Sequence, residues 1–313
     1  MDITVILCTY NRSQMLEQAL ASVAKQELLE ATSWEVLVVD NNSTDATRDV
    51  AEQFCRAYPG RFRYLFEPRP GKSHALNTGI REARGGILAF MDDDVTVSPA
   101  WLANLTCSLR DGTSAGAGGR ILPGWSGPPP EWLSLADRLA LGPLVAFDLG
   151  SESGALREPP SGTNMAFRKE MFVKHGGFRT DLGPRPGCEI RGEDTEFASR
   201  LLIAGETLRY EPSAVVYHPV PESRLRKKYF LDWWFDKGRT DIRAYGVFPE
   251  SKWHIAGVPL DLFRRVAVWT TRWWFTLESS RRFSYKINAW LNVGRIVECY
   301  HQSPNGKRQF GSK

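Results

Sequence analysis

The sequence predicts an α/β fold with a mainly parallel central sheet, followed by a basic helical region. Short apolar runs alternate with helical patterns of roughly ten to fifteen residues, which is typical of parallel strands joined by crossover helices. The run at residues 87–91 ends in three consecutive aspartates, Asp92, Asp93 and Asp94. Because ligands bind at the carboxyl ends of such strands, these carboxylates mark a predicted site.

The first four predicted strands each lead into a polar cluster. They cover residues 3–8, 34–39, 62–66 and 87–91, and each is a short run rich in apolar residues. Helical patterns follow the first three, beginning after Arg12 and covering residues 46–58 and 73–84. Polar residues just before the second helix are suited to capping it. The loops after these strands are expected to gather at one edge of the sheet.

The following part of the chain is less regular. Its predicted strands and helices cover residues 99–109 (helix), 115–122, 162–167 (strands), 169–175, 193–204 (helices), 207–210 and 214–217 (strands). Residues 123–160 and 183–192 are rich in proline and glycine. Long irregular segments in compact domains are often functional loops, so both are expected to meet a ligand.

Residues 222–313 have a different composition from the rest of the chain. They carry 18 Lys and Arg against 8 Asp and Glu, and seven of the eleven tryptophans. Three helices are predicted, at residues 223–245, 260–277 and 283–300. The second has an apolar face and arginines elsewhere, so it is expected to pack on the protein, to form a homodimer or to contact an anionic membrane surface. Nucleic-acid binding is not expected, because no known reading module is present.

The cysteines and the start of the chain predict a cytoplasmic protein. The five cysteines are scattered and contain no C-x-x-C pair, which is typical of reduced thiols rather than of disulfides or a zinc site. The first residues lack the basic segment of a signal peptide. No apolar run approaches the roughly 18 residues that span a bilayer.

Three adjacent carboxylates at a strand end need compensation for their mutual repulsion. A divalent cation between them would supply it, and oxygen-rich sites suit magnesium or manganese. The alternative is a solvated acidic turn that caps the next helix.

Six motifs stand in the order found in family 2 glycosyltransferases, which this chain resembles over about residues 3–220. They are CTYNR (8–12), VVDNNSTD (38–45), GKSHALNTGI (71–80), FMDDD (90–94), GTNMAFRKE (162–170) and RGEDTEF (191–197). Cys8 departs from the proline that the family more often has. The resemblance implies the Rossmann-like GT-A fold, with a catalytic domain at 1–221 (nucleotide-binding half 1–110, acceptor half 111–221) and a helical C-terminal region at 222–313.

The resemblance also implies roles for particular side chains. Those implied to bind the nucleotide or donor sugar are Thr9, Tyr10, Arg12, Asp40, Asn42, Lys72, Asn77, Asp92 and Asp93. Asp94 and His218 are implied ligands of Mn2+ or Mg2+, and Asp194 the implied catalytic base. Glu193 and Glu196 are expected to be supporting or structural acids.

Each role has a simpler alternative in the residues themselves. Asp40 could cap the following helix, and Lys72 could be a solvated loop lysine. Acids such as Asp194 are favoured in a helix's first turn by its dipole. A lone histidine such as His218 is more often packed or solvated than a ligand.

The predicted function is metal-dependent, inverting transfer of one sugar from a nucleotide-sugar, with UDP favoured over GDP or dTDP. The acceptor is expected to be a hydroxyl of a glycan or lipid-linked molecule in cell-surface polysaccharide synthesis, at the inner face of the membrane. The QxxRW element of processive synthases is not seen, which favours a single transfer. The alternatives are a sugar nucleotidyltransferase and a non-catalytic nucleotide-sugar- or glycan-binding protein.

Overall fold

The computed structural model of the protein describes residues 1–28, 31–134, 137–246 and 253–304. The strands are β1 (Ile3–Thr9), β2 (Trp34–Asp40), β3 (Phe62–Phe66), β4 (Ile87–Asp92), β5 (Thr96–Val97), β6 (Gly116–Trp125), β7 (Gly154–Ala155), β8 (Asn164–Arg168), β9 (Leu208–Val220), β10 (His254–Ile255) and β11 (Val258–Pro259). The helices are α1 (Ser13–Val23), α2 (Thr47–Ala57), α3 (Lys72–Glu82), α4 (Trp101–Leu105), α5 (Cys107–Arg110), α6 (Arg138–Leu141), α7 (Lys169–His175), α8 (Glu193–Ile203), α9 (Lys227–Tyr245), α10 (Leu260–Phe275) and α11 (Ser279–Gln302). Parts of the predicted C-terminal region, 247–252 and 305–313, lie outside the described residues.

Contacts divide the chain into two compact units. The first comprises Met1–Gly124, Val145–Cys188 and Glu193–Pro219, and the second comprises Trp125–Leu144, Glu189–Gly192 and Val220–Lys313. Residues 125–144 and 189–192, which lie inside the stretch 1–221, therefore cluster with the C-terminal helices.

The first unit is built on one large sheet. Within the described residues it has nine strands, in the order β3-β2-β1-β4-β8-β6-β9-β5 with β7 paired to β9. Strands β3, β2, β1 and β4 pair with one another in parallel, whereas β8 runs antiparallel to β4 and β6, and β5 and β7 run antiparallel to β9. All residues of β1 and β2 are buried, as expected of parallel strands covered on both faces.

The two faces of the sheet bury separate cores because side chains alternate along each strand. On one face Val5 and Val36 pack with residues of α1 and α4, such as Leu20. On the other face Ile6 and Leu37 pack with residues of α3, α7 and α8. The predicted α/β fold with a mainly parallel sheet and C-terminal helices is confirmed.

Two predicted elements differ in their extent. The strands predicted at 207–210 and 214–217 are one strand, β9, in which alternate side chains stay buried through Pro212. The helix predicted at 99–109 is interrupted at Thr106, whose hydroxyl donates to the Leu102 carbonyl oxygen at 2.8 Å. Such side-chain bonds to the preceding turn often bend helices.

The second unit is mainly helical. Helices α9 and α11 approach closely where each carries a glycine: a Cβ on Gly238 would lie 2.0 Å from the Leu291 carbonyl oxygen, and one on Gly294 would lie 2.0 Å from that of Phe235. Arg295 bonds Asp241 at 2.6 Å across the same pair of helices. Among the described residues, no helix combines the length and apolarity needed to cross a bilayer.

Candidate active site

The carboxyl ends of three neighbouring strands bring the predicted residues together. In the sheet register Thr9 of β1 lies opposite Asp40 of β2, and Cys8 lies opposite Asp92 of β4. The loops after these strands carry Tyr10 and the remaining aspartates. This edge of the first unit is therefore the candidate active site.

Asp92 is held between a cation and a hydroxyl. One carboxylate oxygen accepts from Lys72 Nζ at 2.5 Å, and the other accepts from the Thr163 hydroxyl at 2.7 Å. Although burial opposes its charge, Lys72 holds the pKa of Asp92 below its usual range. In return, the carboxylates of Asp92 and Glu193 outweigh burial and raise the pKa of Lys72. Lys72 is thus a charged partner of the site rather than a solvated loop lysine.

Arg12 pairs with the other two aspartates of the cluster. Its guanidinium lies 2.9 Å from Asp93 Oδ1 and 3.1 Å from Asp94 Oδ2. Burial raises the pKa of Asp93 to about 6, against the opposing effect of Arg12. The alternative of a solvated acidic turn is wrong, because the Asp93 side chain is buried and paired.

Asp94 and His218 form the candidate metal centre. Pairing of Thr96 with Tyr217 between β5 and β9 brings the two residues together, and His218 Nε2 lies 3.8 Å from Asp94 Oδ1. Within the described ranges, no three acidic, histidine or cysteine side chains are grouped to hold a metal by themselves. Asp94 and His218 offer one oxygen and one nitrogen ligand and could hold Mn2+ or Mg2+ only together with groups from a substrate, since Mg2+ is commonly held by one or two protein groups and substrate phosphates.

Asp194 lies in the first turn of α8, where backbone N–H groups fix its carboxylate. Oδ2 accepts from the Gly162 N–H at 2.6 Å, and Oδ1 accepts from the Thr195 N–H at 2.7 Å. A side chain at residue 162 would collide with it, because a Cβ there would lie 2.6 Å from Oδ2. The glycine of the GTNMAFRKE motif therefore leaves room for the acid of the RGEDTEF motif.

Glu193 links Asp194 to the aspartate cluster. Its side chain is buried, and Oε1 lies 3.8 Å from Lys72 Nζ. Among the described residues, Oε2 has no hydrogen-bond partner. Burial, and then the charge of Asp194, raise the pKa of Glu193 to about 7. Glu193 is thus a buried acid held beside the lysine that also pairs with Asp92.

Asp40 is buried with both oxygens bonded to its own surroundings. Oδ1 accepts from the Ser43 N–H at 2.9 Å, and Oδ2 accepts from the Tyr64 hydroxyl at 2.9 Å. It does not cap α2, because Asp45 Oδ1 accepts from the Thr47 N–H at 3.0 Å. The role of Asp40 at a nucleotide base remains a prediction.

Tyr10 and Asn42, which are also predicted to contact the nucleotide-sugar donor, are exposed at the same strand ends. Asn42 has a φ of 66°, in the left-handed region that asparagine tolerates better than most residues. Both are thus accessible to a ligand at this edge.

Asn77 binds the loop after α7. Its amide donates to the Phe178 carbonyl oxygen at 2.8 Å and accepts from the Phe178 N–H at 2.9 Å. Asn77 is therefore bonded to the backbone of Phe178. Its contact with the nucleotide-sugar donor remains a prediction.

Sequence reasoning missed two residues that organise the site. Thr163 bonds Asp92, and the signal was available, because Thr163 stands inside the GTNMAFRKE motif. Asn41 accepts from the Gly71 N–H at 2.7 Å and donates to the Arg69 carbonyl oxygen at 2.7 Å. Gly71 has a φ of 128°, a backbone conformation that favours glycine. The hydrogen bond from its N–H to Asn41 holds the turn that leads into Lys72.

Residues 4–176 match the family model described as Glycosyl transferase family 2. The succinoglycan biosynthesis protein ExoM of Rhizobium meliloti is 28% identical over 82% of this chain and 80% of its own length. The glycosyltransferase AglE of Haloferax volcanii is 30% identical over 73% of this chain and 70% of its own.

Solved structures share the fold. The mannosyltransferase PcManGT from Pyrobaculum calidifontis, in complex with GDP-Man and Mn2+, aligns with a TM-score of 0.59 at 19% identity over 99% of this chain and 88% of its own. TarS 1–349 of S. aureus, in complex with UDP-GlcNAc, aligns with a TM-score of 0.51 at 18% identity over 78% of this chain and 68% of its own. Together with the family match, this likeness identifies the sheet and its flanking helices as a GT-A fold. The chain therefore belongs to glycosyltransferase family 2 and is a glycosyltransferase.

Proposed function

We propose that the protein transfers one sugar from a nucleoside diphosphate sugar, with UDP as the favoured nucleotide, to a hydroxyl of a glycan or lipid-linked acceptor with inversion at the transferred carbon. The observation that carries this proposal is the hydrogen-bonded placement of Asp194 at α8 and its link through Glu193 and Lys72 to Asp92. One unit thus holds a fixed carboxylate suited to a base and a charged cluster suited to a diphosphate.

The donor side of the proposal rests on charge. Arg12 and Lys72 are cations whose present partners are carboxylates at the strand end. A diphosphate bound at this edge could pair with both cations. The N–H groups at the start of a helix also favour anions. The similar structures of PcManGT and TarS are complexes with GDP-Man and UDP-GlcNAc, which supports a nucleotide-sugar donor.

The proposed metal ligands are Asp94 and His218. When bound, Mn2+ or Mg2+ would neutralise negative charge that develops on the departing diphosphate.

The proposed base, Asp194, takes the proton of the attacking hydroxyl. The acceptor oxygen forms a bond to C1 of the sugar while the bond from C1 to the diphosphate breaks, and the proton goes to the Asp194 carboxylate. Hydrogen bonds from Gly162 and Thr195 hold that carboxylate in one orientation. Such fixed orientation is what general-base catalysis requires, because the base must lie within hydrogen-bond reach of the proton.

The domain roles and the cellular location are part of the same proposal. We assign catalysis to the first unit, which contains every proposed site residue. A cytoplasmic location at the inner face of a membrane is in keeping with a lipid-linked acceptor and with the ExoM relative, which is a succinoglycan biosynthesis protein.

The test is calorimetric titration of UDP, GDP and dTDP with and without manganese, followed by turnover of the matching sugar donor. We expect manganese-dependent binding of one nucleotide, with UDP preferred, and a product of inverted anomeric configuration by NMR. Asp194→Asn is expected to bind the nucleotide normally and to lose about 10²- to 10⁴-fold in turnover.

A matched control is Asp49→Asn, which changes an exposed acid in the first turn of α2. It is expected to leave binding and turnover unchanged. Near-normal transfer by Asp194→Asn would show that the base is another group. Absence of binding by all three nucleotides would refute the donor assignment.

A further inference from the structure

Among the described residues, helix α10 packs on α11 through one of its faces. Leu262 is buried, and Trp269 stacks on Tyr285 of α11 at 5.7 Å between ring centroids. Trp273 lies on the same face, four residues further, and Lys286 Nζ lies 4.7 Å from its ring centroid. At 3.6 residues per turn these side chains share a single stripe, which accounts for the packing within the second unit.

The opposite face of α10 is largely apolar and exposed to solvent, and Arg264 and Thr271 are the exposed polar residues within it. Its exposed large apolar side chains are Leu260, Phe263, Val268, Trp274 and Phe275. Ala267 lies among them and is also exposed. An ordinary surface helix carries polar residues on this side. The outward face therefore needs an explanation other than packing within the unit.

The exposed apolar surface is continued at both ends of the helix. At its start, Leu260 N–H donates to the Trp253 carbonyl oxygen at 2.9 Å, and Trp253 and Ile255 of the adjoining hairpin are exposed. At its end, Trp274, Phe275 and Leu277 are 67%, 81% and 96% exposed. With a rise of 1.5 Å per residue, the helix between these ends is about 24 Å long.

Positive charge lies on and beside this apolar face. Residues 253–282 carry five Arg against two Asp and Glu. Arg264 and Arg265 both pair with Asp261, at 3.4 and 2.6 Å, and Arg281 pairs with Glu278 at 3.0 Å. Each of the two acids is thus already paired with at least one arginine. Net positive charge beside Trp, Phe and Leu is the pattern of helices that lie in an anionic membrane interface.

We propose that the outward face of α10, with Leu277 at its end, docks on an anionic lipid surface. A second copy of the chain is the less suitable partner, because a two-fold interface would place the same patch on both sides and bring like charges together. An anionic bilayer instead complements the arginines and accepts the Trp, Phe and Leu side chains in its interface. The proposed membrane contact does not depend on which sugar the enzyme transfers.

The test is co-sedimentation of the full-length protein with phosphatidylglycerol vesicles and with neutral phosphatidylcholine vesicles at low and high salt. We expect binding to the anionic vesicles that weakens at high salt, because surface charge is screened. The combined variant Trp274→Gln, Phe275→Gln and Leu277→Gln is expected to lose at least about tenfold in vesicle affinity, since burial of each such side chain is favourable.

A matched control changes two equally exposed apolar residues of the first unit, Val173→Gln and Ile203→Gln, which are 83% and 86% exposed. It is expected to sediment with vesicles like the wild type. Both variants are also compared in transfer to a soluble acceptor, where unchanged turnover shows that they are folded and separates membrane contact from catalysis.

Three outcomes would overturn the proposal. The first is wild-type affinity for anionic vesicles in the α10 variant, and the second is no vesicle binding by the wild type. The third is a concentration-dependent dimer of the wild type, detected by sedimentation velocity without vesicles, that the α10 variant does not form. That result would assign the face to a second copy of the chain.

Discussion

Gly162→Ala tests the position of the proposed base without changing any titratable group. The new Cβ would lie 2.6 Å from Asp194 Oδ2, whereas ordinary contacts begin at 3.4 Å. The carboxylate must therefore retreat by about 0.8 Å and lose its bond from the Gly162 N–H. A displacement of about 1 Å can cost about 10²-fold in rate, so we expect turnover to fall about 10- to 100-fold.

The assay compares turnover with donor affinity for Gly162→Ala and for a matched control. Gly154→Ala is the same substitution at a glycine whose Cβ would meet nothing within 4 Å, and we expect it to behave as wild type. Nucleotide affinity should stay unchanged in both variants, because Gly162 adjoins the proposed base and not the proposed phosphate partners. Full turnover by Gly162→Ala, with a crystal structure showing the carboxylate displaced, would refute the assignment of Asp194.

Three further predictions concern the remaining site residues. Asp94→Asn should remove the manganese-dependent part of nucleotide binding in calorimetry, because it weakens one of the two proposed ligands. Asn77→Ala should lower the free energy of unfolding by about 1–3 kcal/mol in urea titrations, because the N–H and carbonyl of Phe178 lose their partners. Burial raises the pKa of Glu193 to about 7, so the folded state holds this proton more tightly than the unfolded chain. Its stabilising effect is present below about pH 4.5 and is lost as the pH rises through about 7, and Glu193→Gln should flatten this dependence in thermal unfolding between those pH values.

Each of these predictions has a clear contrary result. Manganese-dependent binding that survives Asp94→Asn would exclude that residue as a ligand. A fall in nucleotide affinity without a fall in stability for Asn77→Ala would favour a donor contact over a role in the loop. Equal pH dependence in Glu193→Gln and wild type would mean that Glu193 titrates normally.

The parallel half of the sheet is predictable from sequence for a physical reason. Strands β1 and β2 are buried on both faces, which leaves continuous apolar runs that end in polar residues. The full length of strand β9 is harder to predict from sequence, because Pro212 is a residue typical of turns. Its alternating burial, which depends on neighbours distant in sequence, keeps the strand continuous.

Contacts within the site are predictable only in part. The resemblance to a family proposes Asp94 and His218 as partners, but their approach depends on the pairing of β5 with β9, which no local pattern encodes. The burial of Glu193 is equally difficult to predict from sequence, because glutamate is almost never fully buried. Gly162 could be recognised in its motif, yet the collision that excludes a side chain there appears only in three dimensions.

The position of Lys72 has a consequence for how substitutions combine. Its ammonium lies 2.5 Å from Asp92 and 3.8 Å from Glu193, which adjoins Asp194 in sequence. Groups that share a charged partner do not contribute independently, so the free-energy changes of substitutions at Asp92 and Glu193 are not expected to add. A double-mutant cycle between these two acids, repeated with Lys72→Met, would measure the thermodynamic coupling that the lysine carries between the strand ends and helix α8.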